Sequence, residues 1–330
     1  MGQAFVYGEG KITCLKRGCE NMNMKYESYL MSEADGLELS VLGVIPGNRK
    51  FRGIIQLVHG MSENKERYLS FMNYLADHGY ITIIHDHRGH GKSVRSKKDL
   101  GYMYGGGAQA IVQDIQTINR LIREEFPDLP LILLGHSMGS LAVRAFASNH
   151  DDCMDMLIVC GSPSKNQARP LGELIARGEK LLFGARHKST LLEVMSFGGY
   201  ALRFKEDKSC TSWICSDKEV AGAYAESPLC GFTFTDDGYL ALFGLMKQAY
   251  DVKNWKCTRP QMPVLFLSGA EDPCMGNVRK FAHAVQDMRR AGYRDVKGKL
   301  YPGMRHEILN EKEKEKVYRD ILIYMHKKGF

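Results

Sequence analysis

Two kinds of hydrophobic spacing alternate along the first half of the chain. Continuous apolar runs of the length typical of buried strands occupy residues 54–59, 80–85, 131–134 and 156–160. Between them, residues 67–78 and 108–126 repeat apolar side chains three or four positions apart, which predicts amphipathic helices. Strands and helices that alternate in this way predict a mostly parallel central sheet flanked by helices, with ligands bound at the carboxyl ends of the strands.

The beginning of the chain follows a different pattern. Residues 1–23 show no clear periodicity, whereas residues 24–40 indicate an opening strand and residues 39–46 its hairpin partner. We therefore expect residues 1–23 to be an N-terminal extension, with Met22 and Met24 as alternative starts.

The regular alternation of strand-like and helical runs stops in the second half of the chain. Helical runs at 171–183 and 190–202 and a loop-like stretch at 210–230 come before new strand-like runs at 264–268 and 298–301 and a closing helix at 311–326. Helices inserted over the carboxyl ends of the strands would form a lid. We therefore expect a core made of residues 24–162 and 238–330, with a helical lid insertion over residues 163–237.

Composition favours a globular protein and argues against a nucleic-acid partner. The 330 residues are 44% hydrophobic and 25% charged, without low-complexity tracts or repeats. The net charge of +7 comes from scattered Lys and Arg without an aromatic-and-basic motif, so we expect no nucleic-acid partner and allow a transient contact with a lipid interface. The nine cysteines are odd in number and lack zinc-type CxxC spacing. With no apolar leader, they predict reduced thiols in a cytoplasmic protein.

A glycine-flanked serine follows one of the predicted strands. Residues 135–139, with the sequence GHSMG, match the pattern G-x-S-x-G between the apolar run 131–134 and a helix predicted over residues 141–150. In such a strand-turn-helix the turn is too tight for neighbouring side chains, and the serine hydroxyl is exposed at the helix N-terminus. The pattern alone occurs by chance, but this context makes Ser137 the predicted nucleophile.

The partners of such a serine follow it in the order acid, then histidine. Asp272 lies in a loop after the strand predicted over residues 264–268, where its carboxylate can accept the Nδ1 proton of a histidine, and Glu271 is the rival acid. His306 lies in a loop between the next predicted strand and the final helix, a position that none of the other histidines has. Ser137, Asp272 and His306 are therefore the predicted catalytic triad.

An ester-cleaving serine also needs two N–H donors for the negative charge that develops on the carbonyl oxygen. The residue after the nucleophile and the loop after the third strand supply them in this arrangement. We predict the backbone N–H groups of Met61 and Met138, and we expect His59 to be structural.

Other histidines raise the question of a metal site. His85, His87 and His90 lie close in sequence, but a glycine-containing loop separates them and no cysteine stands at a ligand spacing. We therefore expect a structural role for them. No metal and no organic cofactor is predicted for the chemistry.

Five motifs in register resemble the monoacylglycerol lipase and lysophospholipase branch of the α/β hydrolases. They are HGMSE at 59–63 followed by Arg67-Tyr68, DHRGHGKS at 86–93, GHSMG at 135–139, SGAEDP at 268–273 and RHE at 305–307. The resemblance runs from about Met24 to the C-terminus. It implies the α/β-hydrolase fold and, as substrate, a monoacylglycerol, a lysophospholipid or a similar acyl ester of lipid metabolism.

The function expected from these residues is a serine hydrolase that cleaves small carboxylic esters through an acyl-enzyme on Ser137. An aminopeptidase or amidase on the same scaffold is one alternative, and it would need Glu226, Asp236 or Asp237 to hold a substrate ammonium. A catalytically silent binding protein is another. Aromatic and aliphatic residues of the insertion can line an acyl channel or simply pack the lid, so none is assigned. They are Phe183, Leu191, Leu192, Phe197, Tyr200, Leu202, Phe204 and Trp213.

Overall fold

The computed structural model describes residues 22–48, 50–207 and 209–330, and one sheet runs through this part of the chain. Its strands are β1 (Met24–Met31), β2 (Glu38–Ile45), β3 (Gly53–Val58), β4 (Tyr80–His85), β5 (Leu131–His136), β6 (Met156–Cys160), β7 (Val264–Gly269) and β8 (Val296–Tyr301). Their order across the sheet is β1-β2-β4-β3-β5-β6-β7-β8. The β1–β2 and β2–β4 pairs are antiparallel and all other pairs are parallel, which confirms the predicted mostly parallel sheet.

Helices cover both faces of the sheet. They are α1 (Leu69–Asp77), α2 (Gly107–Glu125), α3 (Met138–His150), α4 (Arg169–Phe183), α5 (Thr190–Phe197), α6 (Lys218–Glu226), α7 (Asp236–Tyr250), α8 (Val278–Arg290) and α9 (Lys314–Lys327). Helices α2, α3 and α8 pack with Leu133 and Val159 on one face, whereas α1 and α9 pack with Leu134 and Ile158 on the other. Because both faces are buried, the parallel strands β3 to β7 are largely continuous apolar runs, whereas the edge strand β8 is exposed and polar in its middle.

Four helices, α4 to α7, lie between β6 and β7, in the region where the regular alternation of strands and helices stops. The stretch expected to be loop-like at 210–230 contains α6, so that expectation is wrong. This helix is short, includes Gly222 and buries only Ala221 and Tyr224, so its sequence carries little amphipathic signal.

Helix α7 was not expected either. Its sequence is apolar around most of its circumference because it packs against α2, α3 and α4 together. A helix enclosed in this way lacks the one-sided spacing by which helices are recognised in a sequence. It forms the join between the insertion and the body.

Two further expectations concern the described residues, and a third falls largely outside them. No helix among them is long and apolar enough to cross a membrane. Seven cysteines there carry free thiols: Cys153, Cys160, Cys210, Cys215, Cys230, Cys257 and Cys274. The expected N-terminal extension, residues 1–23, lies outside the described residues up to position 21, as do Cys14 and Cys19.

Candidate active site

The candidate nucleophile lies on a strained turn between β5 and α3. Ser137 has φ 53° and ψ −119°, a conformation that costs free energy for a residue with a side chain. A Cβ atom on Gly135 would lie 2.3 Å from the Gly139 oxygen, and one on Gly139 would lie 2.1 Å from the Val58 oxygen. Both glycines are therefore required by the close approach of backbone segments. The turn presents Ser137 to a cavity at the carboxyl ends of the strands.

The predicted acid and histidine meet beyond the end of β7. His306 Nδ1 donates a hydrogen bond to Asp272 Oδ2 over 3.0 Å, and both residues are buried. The Asp272 carboxylate also accepts from Ser268 Oγ at 3.1 Å and from the Cys274 N–H at 2.8 Å, so it is held on both oxygens. The rival Glu271 is exposed. His306 lines the same cavity as Ser137, with Asp272 on its far side.

The two backbone N–H groups predicted as oxyanion donors lie on either side of Ser137. Met61 lines the cavity and Met138 begins α3. The N–H groups next to Met61 are engaged, since Gly60 donates to the Glu63 carboxylate at 2.5 Å and Ser62 donates to a histidine ring nitrogen at 3.1 Å. Those of Met61 and Met138 have no acceptor within the described part of the chain.

Four buried histidines support the loop that contains Met61. The backbone N–H of His87 donates to His59 Nε2 at 2.9 Å, and His90 Nε2 accepts from the Ser62 N–H. Burial lowers the pKa of His59 to about 3 and that of His90 to about 4. Burial also holds the pKa values of His85 and His87 well below their ordinary range. At neutral pH all four rings are therefore uncharged. Those of His59, His87 and His90 make hydrogen bonds to the backbone, whereas the ring of His85 packs against that of His87.

A buried charged network that the sequence reasoning missed lies under the candidate residues. Glu63 accepts hydrogen bonds from Tyr68 Oη at 3.0 Å, from Arg67 Nη1 at 3.0 Å and from His136 Nδ1 at 3.2 Å. Arg67 also donates to both carboxylate oxygens of Glu307, over 2.6 Å to Oε2. Each of these residues lies within or beside a motif already singled out, and the opposite charges of Glu63 and Arg67, four positions apart, are a signal that was overlooked.

His136 connects this network to the proposed catalytic residues. Its Nδ1 contacts the Glu63 carboxylate, while its Nε2 lies 3.2 Å from the backbone oxygen of His306. Both partners accept hydrogen bonds only, so both bonds together require the doubly protonated imidazolium. Burial opposes that charge, but the hydrogen bond and the charge of Glu63 outweigh burial and raise the pKa of His136. The residue next to Ser137 thus ties it to the His306 loop.

The cavity lies between the sheet and the insertion and has a volume of about 420 Å³. Its body side contains Ser137 and His306, and its insertion side is largely apolar, with Phe197 and Trp213 stacked at a centroid distance of 6.0 Å. The Trp213 ring lies 5.2 Å from the His306 ring. Of the other residues considered for an acyl channel, Leu192 is buried, whereas Phe183, Leu191 and Leu202 are exposed. A largely apolar pocket with few polar groups suits an acyl chain that ends at a reactive carbonyl.

The acids considered for binding an ammonium lie elsewhere. Within the described residues, none of Glu226, Asp236 and Asp237 lines the cavity. Asp237 pairs with Lys180 at 2.8 Å and Glu226 is exposed. Asp272, Cys274 and His306 are close enough to share a metal ion, but both Asp272 oxygens already accept hydrogen bonds from protein groups, so neither is left without a partner.

Comparison of the sequence with known proteins gives a family and a related enzyme. A family model described as serine aminopeptidase, S33, matches residues 49–313. A monoacylglycerol lipase from Mycolicibacterium smegmatis is 26% identical over 271 residues, which cover 82% of this chain and 86% of that protein.

Comparison of the structure gives the fold. A thermostable carboxyl esterase from Bacillus coagulans, solved in complex with glycerol, matches with a TM-score of 0.84 at 24% identity, covering 92% of this chain and 98% of that one. A soluble variant of monoglyceride lipase from Saccharomyces cerevisiae, in complex with a substrate analogue, matches with a TM-score of 0.69 at 20% identity, covering 91% and 94%. The predicted α/β-hydrolase fold is confirmed.

Proposed function

The chain belongs to the serine aminopeptidase S33 family and is an α/β hydrolase of the monoacylglycerol lipase-like branch, and from this premise we propose that it cleaves single-chain acyl esters through an acyl-enzyme on Ser137. The observation that carries the proposal is the contact of His306 with Asp272 at the wall of the apolar cavity into which Ser137 opens. The chain is a carboxylic ester hydrolase. The acyl-enzyme on Ser137 and the lipid substrate are the parts that we propose.

The proposed reaction begins at the Ser137 hydroxyl. His306 removes its proton as the oxygen attacks the ester carbonyl, and Asp272 stabilises the imidazolium that forms. His306 then donates that proton to the leaving alcohol. A water molecule, deprotonated by the same imidazole, attacks the acyl-enzyme and releases the carboxylic acid. The hydrogen bond of 3.0 Å between His306 Nδ1 and Asp272 supports these roles, because it leaves Nε2 to exchange protons with Ser137.

Two backbone donors complete the proposal. The N–H groups of Met61 and Met138 hold the oxyanion of the tetrahedral intermediate. Their lack of another acceptor among the described residues supports this assignment, since a neighbouring N–H is already bonded on each side of Met61. Loss of one such donor costs roughly 10²–10³ in kcat in serine hydrolases.

The cavity supports a lipid substrate. Its insertion side provides apolar contacts for an acyl chain, and the relative from Mycolicibacterium smegmatis is a monoacylglycerol lipase. The end of α4 exposes Leu181, Leu182 and Phe183, with 86%, 75% and 64% of their surface accessible. Adjacent exposed apolar residues suit contact with a lipid interface. We therefore infer that the insertion acts as a lid that meets the interface and guides a single acyl chain to Ser137.

The proposal is tested with p-nitrophenyl esters from acetate to palmitate, beside monoacylglycerol and lysophosphatidylcholine. The Ser137→Ala variant is the matched blank, because it removes the nucleophile and little packing. We expect rates that rise with chain length and fall by about 10⁴-fold or more in the variant, by analogy with loss of a triad nucleophile. Equal rates in both proteins would exclude Ser137 as the nucleophile.

The same panel decides between substrates. Activity confined to the acetate and butyrate esters would indicate that the substrate is a small ester rather than a lipid. Activity on aminoacyl p-nitroanilides alone would favour the aminopeptidase alternative, against which the position of Glu226, Asp236 and Asp237 outside the cavity weighs. If a fluorophosphonate probe also fails to label Ser137, the chain is a silent binding protein.

A further inference from the structure

Three side chains with metal-binding atoms meet outside the candidate active-site cavity. Glu179 belongs to α4, His187 to the segment after it, and Asp236 is the first residue of α7. One carboxylate oxygen of each acid and one ring nitrogen of His187 all lie within 4.8 Å of one another. None of the three lines the cavity, so the proposed hydrolysis gives them no role.

The backbone holds two of these residues in place. The Asp236 N–H donates to the His187 oxygen at 2.8 Å, and the adjacent Lys188 and Thr235 form an antiparallel bridge. The side chains follow the same alignment, because His187 Nδ1 contacts Asp236 Oδ2 at 3.0 Å. The pair is therefore preorganised, and Glu179 approaches it from α4.

The charges around the cluster are not balanced by protein groups. The Asp236 side chain is fully buried, and its Oδ1 has no hydrogen-bond partner in the described ranges; nor does the buried Oε2 of Glu179. Within those ranges neither acid pairs with a Lys or an Arg. Lys180, the residue next to Glu179, is engaged with another acid, since it pairs with Asp237 at 2.8 Å. In the described ranges the His187 imidazole is the basic group that Asp236 contacts, and the Glu179 carboxylate lies close to both, an arrangement that a bound cation would complete.

We propose that Glu179, His187 and Asp236 form a binding site for a divalent transition-metal ion, with Zn²⁺ as the ion that fits best. Imidazole nitrogen and carboxylate oxygen are both Zn²⁺ ligand types, and water can take the fourth position of a tetrahedral site. Ca²⁺ and Mg²⁺ prefer more oxygen ligands and do not favour imidazole. Both orphaned carboxylate oxygens then have a partner.

The position of the site gives the ion a structural role. It links the C-terminal half of α4 to the N-terminus of α7, and α7 packs on α2 and α3 of the body. Zn²⁺ therefore fastens the insertion to the core at a point away from the cavity. The ion stabilises the folded protein, because the unfolded chain does not hold these ligands together.

Zn²⁺ binding is measured on the full chain after treatment with EDTA, by isothermal titration and by the melting temperature with and without the ion. We expect wild-type protein to bind Zn²⁺ more tightly than Ca²⁺ and to melt at a higher temperature with Zn²⁺. In Glu179→Gln and in His187→Gln, the affinity should fall by at least about tenfold and the melting shift should disappear. The exposed His283 of α8 provides the control, and His283→Gln should behave as the wild type.

Substitution of Zn²⁺ by Co²⁺ distinguishes metal binding at the proposed site from metal binding at a cysteine. Coordination by Glu179, His187 and Asp236 gives visible d–d bands without a thiolate charge-transfer band, whereas binding at Cys274 or an exposed cysteine gives that band. Both variants should still unfold in a single cooperative transition in EDTA, which shows that they fold. Unchanged Zn²⁺ affinity in both variants, a thiolate spectrum or no binding by the wild type would each overturn the proposal.

Discussion

Ser137 has a strained backbone conformation and lies next to a buried charged side chain. Its positive φ of 53° is held by the backbone contacts of Gly135 and Gly139, and its neighbour His136 bonds to both Glu63 and the His306 oxygen. A charged imidazole at this position fixes the distance between the turn and the His306 loop. His136 is therefore a positioning residue, with Glu63 as the group that keeps it protonated.

Removal of the Glu63 charge tests this role. In Glu63→Gln we expect the pKa of His136, measured by NMR titration, to fall, because the carboxylate that stabilises the imidazolium is gone. The free energy of unfolding near neutral pH should fall by about 1.5–3 kcal/mol, as for loss of a hydrogen bond to a charged group.

The pH dependence of His136 supplies a second measurement. Because its folded pKa is raised, its contribution to stability is complete below the unfolded value near 6.5 and is lost as pH rises through the folded pKa. The Glu63→Gln variant should lose this alkaline decline. Glu271→Gln, at an exposed acid next to Asp272, should leave the His136 titration unchanged, and a similar shift there would refute a specific role for Glu63.

At the scale of elements, the turn between β5 and α3 determines whether the proposed nucleophile Ser137 faces the cavity. Helix α3 passes so close to β3 that only a glycine fits at position 139. By contrast, Gly178 in α4 has open space where a Cβ atom would lie. The same substitution by alanine should therefore change the stability of the protein in opposite directions at these two positions.

Gly139→Ala should destabilise the protein by about 1–3 kcal/mol, because the added methyl group must displace the Val58 backbone. The rate of ester hydrolysis should fall as well, since the turn at Ser137 shifts with it. Gly178→Ala is the matched control, and it should be stabilising by up to about 1 kcal/mol, as expected for Ala in an exposed helix. Urea denaturation measures both, and equal effects at the two positions would contradict the close-packing argument.

At the scale of the whole molecule, the histidine cluster makes stability depend on pH. His59 and His90 have pKa values of about 3 and about 4 in the folded protein, against about 6.5 when unfolded. The unfolded chain therefore binds more protons in this interval. The stability contributed by these rings is present above pH 6.5 and is lost as pH falls towards their folded pKa values.

His90 alone should account for roughly 2 kcal/mol of unfolding free energy lost between neutral pH and pH 5. Urea denaturation at the two pH values measures the loss. His90→Gln keeps an acceptor for the Ser62 N–H without a titrating ring, and its decline should be smaller by about that amount. A decline as steep as that of the wild type would show that the ring is not held neutral.

The sequence by itself determined the sheet and the identity of the proposed catalytic residues. Continuous apolar runs locate the parallel strands β3 to β7 because both faces of the sheet are buried there, and glycines around Ser137 mark a turn that tolerates no other residue. Asp272 and His306 follow from chain order, since such loops lie at one edge of the sheet. These signals lie in short stretches of the sequence and in the order of the motifs, so they can be recognised without the structure.

Only the tertiary structure decided which distant groups meet. The enclosed helix α7 has no one-sided pattern, and α6 is too short to show one. The contacts of Glu63 with His136, and of Glu179 with His187 and Asp236, join residues from separate elements whose spacing in the sequence carries no period. Burial and unpaired oxygens are properties of the packed molecule, so the shape of the cavity and the proposed Zn²⁺ site become visible only in the fold.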